Sequence, residues 1–317
     1  MNKFFSVEDA QNPEALVTEA LQLKANPRAF EHLGKNKSIC LIFFNPSLRT
    51  RLSTQRAGEL LGMNVTVFNI GKEGWQLEFA DGVVMNGDKA EHIKDAARVI
   101  GAYFDIIGIR SFPSLADREK DYTEEVINAF YQYAGVPIVN MESATLHPLQ
   151  SLADLITIRE HQGVIERPKV VLTWAPHPRA LPQSVGNSFA QWMNRADVEL
   201  VITNPEGYDL APEFAGDAYV THDQKEAFEG ADFIYAKNWS SYEQYGQILS
   251  QDSRWTVDAE KMALTNNGKF MHCLPVRRNV IVADEVIDSE NSLIIDQAVN
   301  RVTAAHIVLK KMLEVQG

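Results

Sequence analysis

The chain has 317 residues, of which 45% are apolar and 23% charged, and its formal net charge is −12. These values fit a soluble globular protein of two ordinary domains; they argue against a nucleic-acid or anionic-membrane surface but not against a local basic pocket. Two cysteines, Cys40 and Cys273, rule out a disulfide framework, no apolar stretch has membrane-spanning length, and the opening resembles neither a signal nor a transit peptide, so a cytoplasmic protein is expected.

In chain order, the apolar run Ser38–Phe44 has the composition of a buried strand. It stops at Asn45, a good helix N-cap, with Pro46 suited to the first position of a helix over 46–61. Ser47, Arg49, Thr50 and Arg51 crowd the first turn, where the helix dipole disfavours cations. Two arginines, two hydroxyls and backbone N–H groups at a helix start suit a phosphate dianion instead; a solvated helix start is the plainer reading. A strand at 64–70 leads into the loop Lys72–Gly87, which is long, poor in pattern and contains Trp75. Such loops are often functional, although Trp75 could simply close over the core.

A helix at 91–103 precedes a strand at 105–110 ended by Arg110, and a helix at 122–134 precedes a strand at 136–141 followed by Glu142. His147, Pro148 and Gln150 open a helix at 149–162 that links two self-contained sets. Strands at 169–174, 198–203, 232–237 and 269–274 then alternate with helices at 184–195, 223–230 and 257–265. The final helix, 296–315, carries Ala298, Val302, Ala305, Val308, Leu309 and Met312 at helical spacing. The alternation predicts parallel sheets covered by helices, the α/β class. Pro176, Pro178 and Pro182 stiffen the loop Trp174–Gln183.

Polar groups recur just past strand ends, where open α/β sheets bind ligands. They are Arg110, Glu142, His147, Gln150, His177, Lys237, and Cys273 and Leu274 followed by Arg277 and Arg278. Each has a bland alternative: a surface arginine, a capped helix start, a buried small hydrophobe at Cys273, a solvated arginine pair. Several are cationic in an acidic protein, which favours an anionic ligand. No Gly-x-Gly-x-x-Gly turn, phosphate-binding Gly-Lys loop, His-Glu-x-x-His or Gly-x-Ser-x-Gly motif occurs, and no Cys/His pair has zinc-site spacing. Transfer chemistry on a phosphate-bearing substrate, without metal or cofactor, fits best.

Three segments, Ser47-Leu48-Arg49-Thr50-Arg51, His147-Pro148-Leu149-Gln150 and His272-Cys273-Leu274-Pro275, together resemble the aspartate/ornithine carbamoyltransferases, in the right order and near the right separations. The resemblance covers essentially the whole chain. It implies two doubly wound parallel-sheet domains: 1–148 with 295–317 for carbamoyl phosphate, and 149–294 for the amino acid. It also implies a homotrimer with shared active sites. By the same resemblance Ser47, Leu48, Arg49 and Thr50 cradle phosphate, and Arg110, His147 and Gln150 surround the carbamoyl group. Cys273 and Leu274 line that site, Arg301 adds a contact from the last helix, and Trp75 serves a neighbouring subunit. Arg110, His147 and Thr50 would stabilise the developing oxyanion.

His-Cys-Leu-Pro resembles the ornithine branch. Ordinary ornithine enzymes, however, carry an aspartate where this chain has Lys237, and their Ser-Met-Gly is absent. A cation there would repel a free α-ammonium by several kcal/mol where poorly solvated; an acylated α-nitrogen removes the conflict. The chain accordingly looks like the acylornithine carbamoyltransferases of arginine biosynthesis, in which the proline-rich loop takes part in a knot. The acetyl type has a glutamate, and the succinyl type a proline, where this chain has Ala90. Ala90 matches neither, but it removes a carboxylate that would repel a succinyl group. Glu142, His177, Lys237 and Arg277 look like acylornithine contacts, with Arg278 weaker. N-succinylornithine is the expected acceptor and N-acetylornithine the alternative; a non-catalytic anion-binding protein of the same fold is the rival from another class.

Overall fold

A computed structural model describes residues 1–316. The chain divides into two units, the first comprising Met1–Ser114, Glu119–Leu149 and the stretch from Arg301, the second Leu115–Arg118 and Gln150–Asn300. In the first unit five strands form a sheet: β1 (Lys3–Phe4), β2 (Ser38–Phe43), β3 (Asn64–Asn69), β6 (Ile106–Arg110) and β7 (Ile138–Glu142). A two-residue pair, β4 (Leu77–Glu78) and β5 (Glu91–His92), lies apart from it. The sheet order is β1-β7-β6-β2-β3, and every pairing is parallel. Interior strands of a parallel sheet are covered on both faces and read as continuous apolar runs, as Ile39–Phe43 and Ile106–Ile109 do. Cys40, Ile42, Ile107, Ile109 and Ile138 pack with Ala97 and Phe130 from the covering helices.

The second unit repeats the plan with β8 (Lys169–Trp174), β9 (Glu199–Thr203), β10 (Tyr219–Thr221), β11 (Phe233–Lys237) and β12 (Lys269–Met271). Their order is β10-β9-β8-β11-β12, again all parallel. Val171, Val201, Phe228, Ile234 and Phe270 form the centre of its core. The expected α/β class with two doubly wound parallel sheets is what the chain adopts.

Several elements depart from expectation. β1, β4, β5 and β10 have only two or three residues, too short for a periodic signal. The helix Pro13–Ala25 was also unforeseen, although Asn12 caps it by accepting from the Ala15 N–H and Pro13 takes its first turn. The helix expected from Pro46 begins at Arg49, because Asn45 Oδ1 accepts the Phe112 N–H at 2.7 Å instead of capping. The strand expected to reach Leu274 stops at Met271. Among the described residues no helix is long and apolar enough to cross a membrane.

His306, on the last helix (Ile294–Leu313), is 2% exposed. Burial, with Lys310 adding to it, pushes its pKa down from 6.5 to about 4. The folded chain therefore keeps this imidazole neutral while the unfolded chain protonates it. Its stabilising contribution is complete above about pH 6.5 and is lost as pH falls toward 4, by about 3 kcal/mol. A His306→Leu variant is expected to show a flatter melting temperature than the parent between pH 6.5 and 4.5. Parallel curves would refute the assignment.

Candidate active site

In each unit the singled-out residues stand at or just beyond the C-terminal ends of neighbouring strands. In the first unit these are β7, β6 and β2, ending in Glu142, Arg110 and the loop after Phe43. The helix Arg49–Leu60 that follows this loop has no acidic residue in its first turn and no side-chain cap at Leu48. Ser47 Oγ accepts from the Thr50 N–H at 3.3 Å. Thr50 is buried, and its hydroxyl takes a 2.6 Å hydrogen bond from Arg301 Nη2, itself 7% exposed. A helix start without acidic side chains, next to a buried guanidinium, is suited to an oxyanion.

Arg110 binds the carboxylate of Glu142 through Nε at 3.3 Å and Nη2 at 2.9 Å, and its Nη1 donates to the carbonyls of Asn45 at 3.1 Å and Pro46 at 2.8 Å. Its guanidinium lies 4.2 Å from the Phe112 ring centroid. Four contacts leave at most one of the five guanidinium N–H groups for a ligand. Arg110 thus also holds the turn that carries Ser47–Thr50. A β-bulge pairs Arg110 with Glu142, skipping Met141, and Glu142 has a φ of 151°. Bulges re-aim side chains next to active sites; here the bulge turns Glu142 toward Arg110 and His147, whose Nε2 is 3.6 Å from Glu142 Oε2.

Glu124 was not foreseen. It is a non-glycine residue at φ 52°, and its carboxylate accepts from the hydroxyls of Ser143 and Thr145 and from the N–H groups of Ala144 and Thr145. Burial pushes its pKa up, while these hydrogen bonds oppose the shift. The clamp fixes the turn immediately before His147. A lone glutamate ahead of a helix gives no sequence signal for this.

Trp75 and Ala90 belong to one loop system. β4 pairs with β5, and the Trp75 indole N–H donates to Glu91 at 2.8 Å. Trp75 is 58% exposed and borders a cavity of about 350 Å³ with Phe68, Leu77 and Ile100. Ala90 is exposed. The Ala80 N–H, Lys89 and the Phe79 N–H hold the Glu78 carboxyl low, at about 2, so this carboxylate anchors the loop at neutral pH.

In the second unit, β8, β11 and β12 are adjacent and lead to His177, Lys237 and Cys273. Arg277 Nε donates to His177 Nε2 at 3.0 Å. An imidazole nitrogen that accepts from a guanidinium carries no proton, so a ring held in this way is neutral; its Nδ1 lies 2.9 Å from the Arg179 carbonyl oxygen and 3.0 Å from the Arg179 backbone nitrogen. Burial, with the positive charges of Lys237, Arg277 and Arg179, holds His177 below its usual pKa, in keeping with a neutral ring. Lys237 is 8% exposed and donates to the Asn238 carbonyl at 3.0 Å. Three cations around a neutral histidine form a receptor for carboxylates. Arg278, the weaker candidate, is instead engaged by Asp284 and Asp288.

Gln150 is fully buried, and its Nε2 donates to Asp154 at 2.7 Å. Cys273 is half-buried. It lies in a turn in which the Leu274 N–H donates to His272 Nδ1 at 2.9 Å, with Leu274 at φ 56°. Burial pushes the Tyr235 hydroxyl well above its usual pKa, with the charges of Asp154 and Cys273 acting in the same direction.

Residues 2–160 match the family model of the aspartate/ornithine carbamoyltransferase carbamoyl-P binding domain, and residues 182–312 match that of the Asp/Orn binding domain. The chain belongs to the aspartate/ornithine carbamoyltransferase family and is a carbamoyltransferase. It is 56% identical over 316 residues to the N-succinylornithine carbamoyltransferase of Bacteroides thetaiotaomicron, covering 99% of each chain. It is 41% identical to the N-acetylornithine carbamoyltransferase of Xanthomonas campestris, covering 95% of this chain and 94% of that one. A solved structure of a glutamate-to-alanine mutant of N-acetyl-L-ornithine transcarbamylase, complexed with carbamyl phosphate and N-succinyl-L-norvaline, superposes with a TM-score of 0.92 at 39% identity. It covers 98% of this chain and 100% of the other.

Proposed function

We propose that this chain transfers the carbamoyl group of carbamoyl phosphate to the δ-amine of N-succinyl-L-ornithine, giving N-succinyl-L-citrulline and phosphate. The observation that carries the acceptor is the cluster of Lys237, Arg277 and Arg179 around a neutral His177. It opposes a free α-ammonium and suits the carboxylates of an acylated ornithine. The higher identity to the succinylornithine relatives supports the same choice. So does the complex of a glutamate-to-alanine mutant of an acetylornithine relative with carbamyl phosphate and N-succinyl-L-norvaline.

The neutral δ-amine attacks the carbonyl carbon, a C–N bond forms, and negative charge develops on the carbonyl oxygen. The remaining N–H of Arg110, with His147 and the Thr50 hydroxyl, meets that charge, while Ser47, Leu48, Arg49, Thr50 and Arg301 hold the phosphate. Gln150, Cys273 and Leu274 orient the carbamoyl group. The C–O bond to phosphate then breaks, and the departing phosphate takes the amine proton. Fixed donors and positioning supply the acceleration. Glu142 serves mainly by fixing Arg110. The exposed Trp75 loop is consistent with a homotrimer in which that loop serves a neighbouring copy, which sedimentation analysis would test.

Steady-state rates with ornithine, N-acetylornithine and N-succinylornithine decide the acceptor, and a strong acetyl preference with succinyl nearly inert would sink this choice. Ala90→Glu is expected to lower the succinyl-to-acetyl ratio of kcat/KM by about 10- to 100-fold. A second carboxylate near the succinyl group costs about 1–3 kcal/mol on an exposed loop.

A further inference from the structure

Asp154 lies one helical turn after Gln150 on the helix Pro148–His161 and is fully buried. One of its carboxylate oxygens, Oδ1, accepts two amide N–H groups at 2.7 Å, from Gln150 Nε2 and from Gln297 Nε2. A carboxylate that receives N–H donors settles which end of each amide faces it. Gln150 must turn its nitrogen to Asp154 and its oxygen away. That oxygen is buried and has no hydrogen-bond partner among the described residues, an arrangement that is unfavourable unless a ligand completes it. Gln297 is held in the same way, so its oxygen accepts the His272 N–H at 2.9 Å. His272 Nδ1 in turn accepts from the Leu274 N–H. One carboxylate therefore sets the orientation of Gln150 and pins the turn carrying Cys273.

A plain tie between two helices does not account for this. Asn300 already joins the same pair of helices through Thr157 at 2.9 Å and Glu160 at 2.7 Å, and neither bond orients a group beside Cys273 or leaves a buried acceptor open.

We propose that Asp154 is a positioning residue: it fixes the Gln150 amide with its oxygen presented to an N–H donor of the substrate, and through Gln297 it holds the His272–Leu274 turn. The proposal rests on the carbamoyltransferase reading, under which the donor is the amide NH2 of carbamoyl phosphate.

The test is a double-mutant cycle with carbamoyl phosphate varied at saturating N-succinylornithine. Asp154→Ala is expected to lower kcat/KM for carbamoyl phosphate by about 100-fold. Asp154→Asn should stay within about 10-fold of the parent, because its carboxamide oxygen still accepts both amides. Gln150→Glu sets two carboxylates side by side and should lose about 100-fold or more. The pair Gln150→Glu/Asp154→Asn should recover at least about 10-fold over Gln150→Glu alone, because the new carboxamide donates to the new carboxylate and leaves one oxygen for the substrate. Recovery supports the proposal. Additive losses in the two isosteric variants, with parental melting temperatures, overturn it, even if Asp154→Ala fails to fold. Absence of acylcitrulline from the parent chain overturns the carbamoyltransferase reading, and this inference with it; an active parent with an additive cycle overturns this inference alone.

Discussion

Arg110→Ala is expected to lower kcat/KM by about a thousand-fold, about 4 kcal/mol of transition-state stabilisation. Three losses coincide. The N–H aimed at the carbonyl oxygen disappears, and removal of a single oxyanion donor alone costs about 3–4 kcal/mol. The carbonyls of Asn45 and Pro46 lose their anchor, so the segment Ser47–Thr50 is less well placed for phosphate. Glu142, 7% exposed, is left as a buried carboxylate without its guanidinium, which is typically worth about 3–5 kcal/mol of destabilisation. Arg110→Lys keeps one charge but not the planar fork, and a loss of about a hundred-fold is expected. The structural share can be separated from the catalytic one by pairing Arg110→Ala with Glu142→Gln. That second change removes the stranded charge and should restore the melting temperature while leaving turnover low. Near-normal turnover in Arg110→Ala would remove Arg110 from the oxyanion role.

This dual engagement explains why the segment after Phe43 does not start a helix at once. Asn45 and Pro46 have the composition of a helix start, but their polar groups are taken up by Phe112 and Arg110. The helix begins three residues after Pro46, at Arg49. Its first-turn N–H groups therefore stand beside Thr50 and Arg301. The intervening turn is held by a residue more than sixty positions downstream.

The interior strands were legible because both faces of each are covered, which forces runs such as Ile39–Phe43 and Val170–Leu172 to be apolar throughout. The polar groups at strand ends stand out for a related reason: a charged residue interrupts such a run. Elements whose signal is not local stayed hidden. Tyr219 and Val220 of the edge strand β10 are exposed, so no apolar run marks them. Asp154 and Glu124 look like ordinary solvated carboxylates in helical sequence, and only the folded chain brings Gln297 to one and the Ser143–Thr145 turn to the other. For Asp154 the spacing of four from Gln150 was the available hint, since residues so separated meet on one helix face. Arg301 meets Thr50 across 251 positions, and only the family resemblance pointed to that pair.

Lys237→Met is expected to lower kcat/KM for the acylornithine by about a hundred-fold, through KM for that substrate, with KM for carbamoyl phosphate unchanged. The side chain is 8% exposed at the end of β11, so its charge is little screened, and truncating one partner of a buried charge pair typically costs about 2–5 kcal/mol. Methionine keeps the length and packing of the stem while removing the ammonium, so the loss reports on charge rather than on a cavity. Because the Lys237 charge also helps to hold the His177 pKa down, the variant should raise that pKa and move the acid limb of the acylornithine KM profile upward. Lys237→Asp goes further: it presents an anion where a carboxylate is to bind, and it should abolish acylornithine turnover while weakening discrimination against unacylated ornithine. If Lys237→Met leaves the acylornithine KM within about threefold of the parent, Lys237 does not touch this substrate. Rejection of a free α-ammonium would then rest on Arg277 and Arg179, the two remaining cations beside His177.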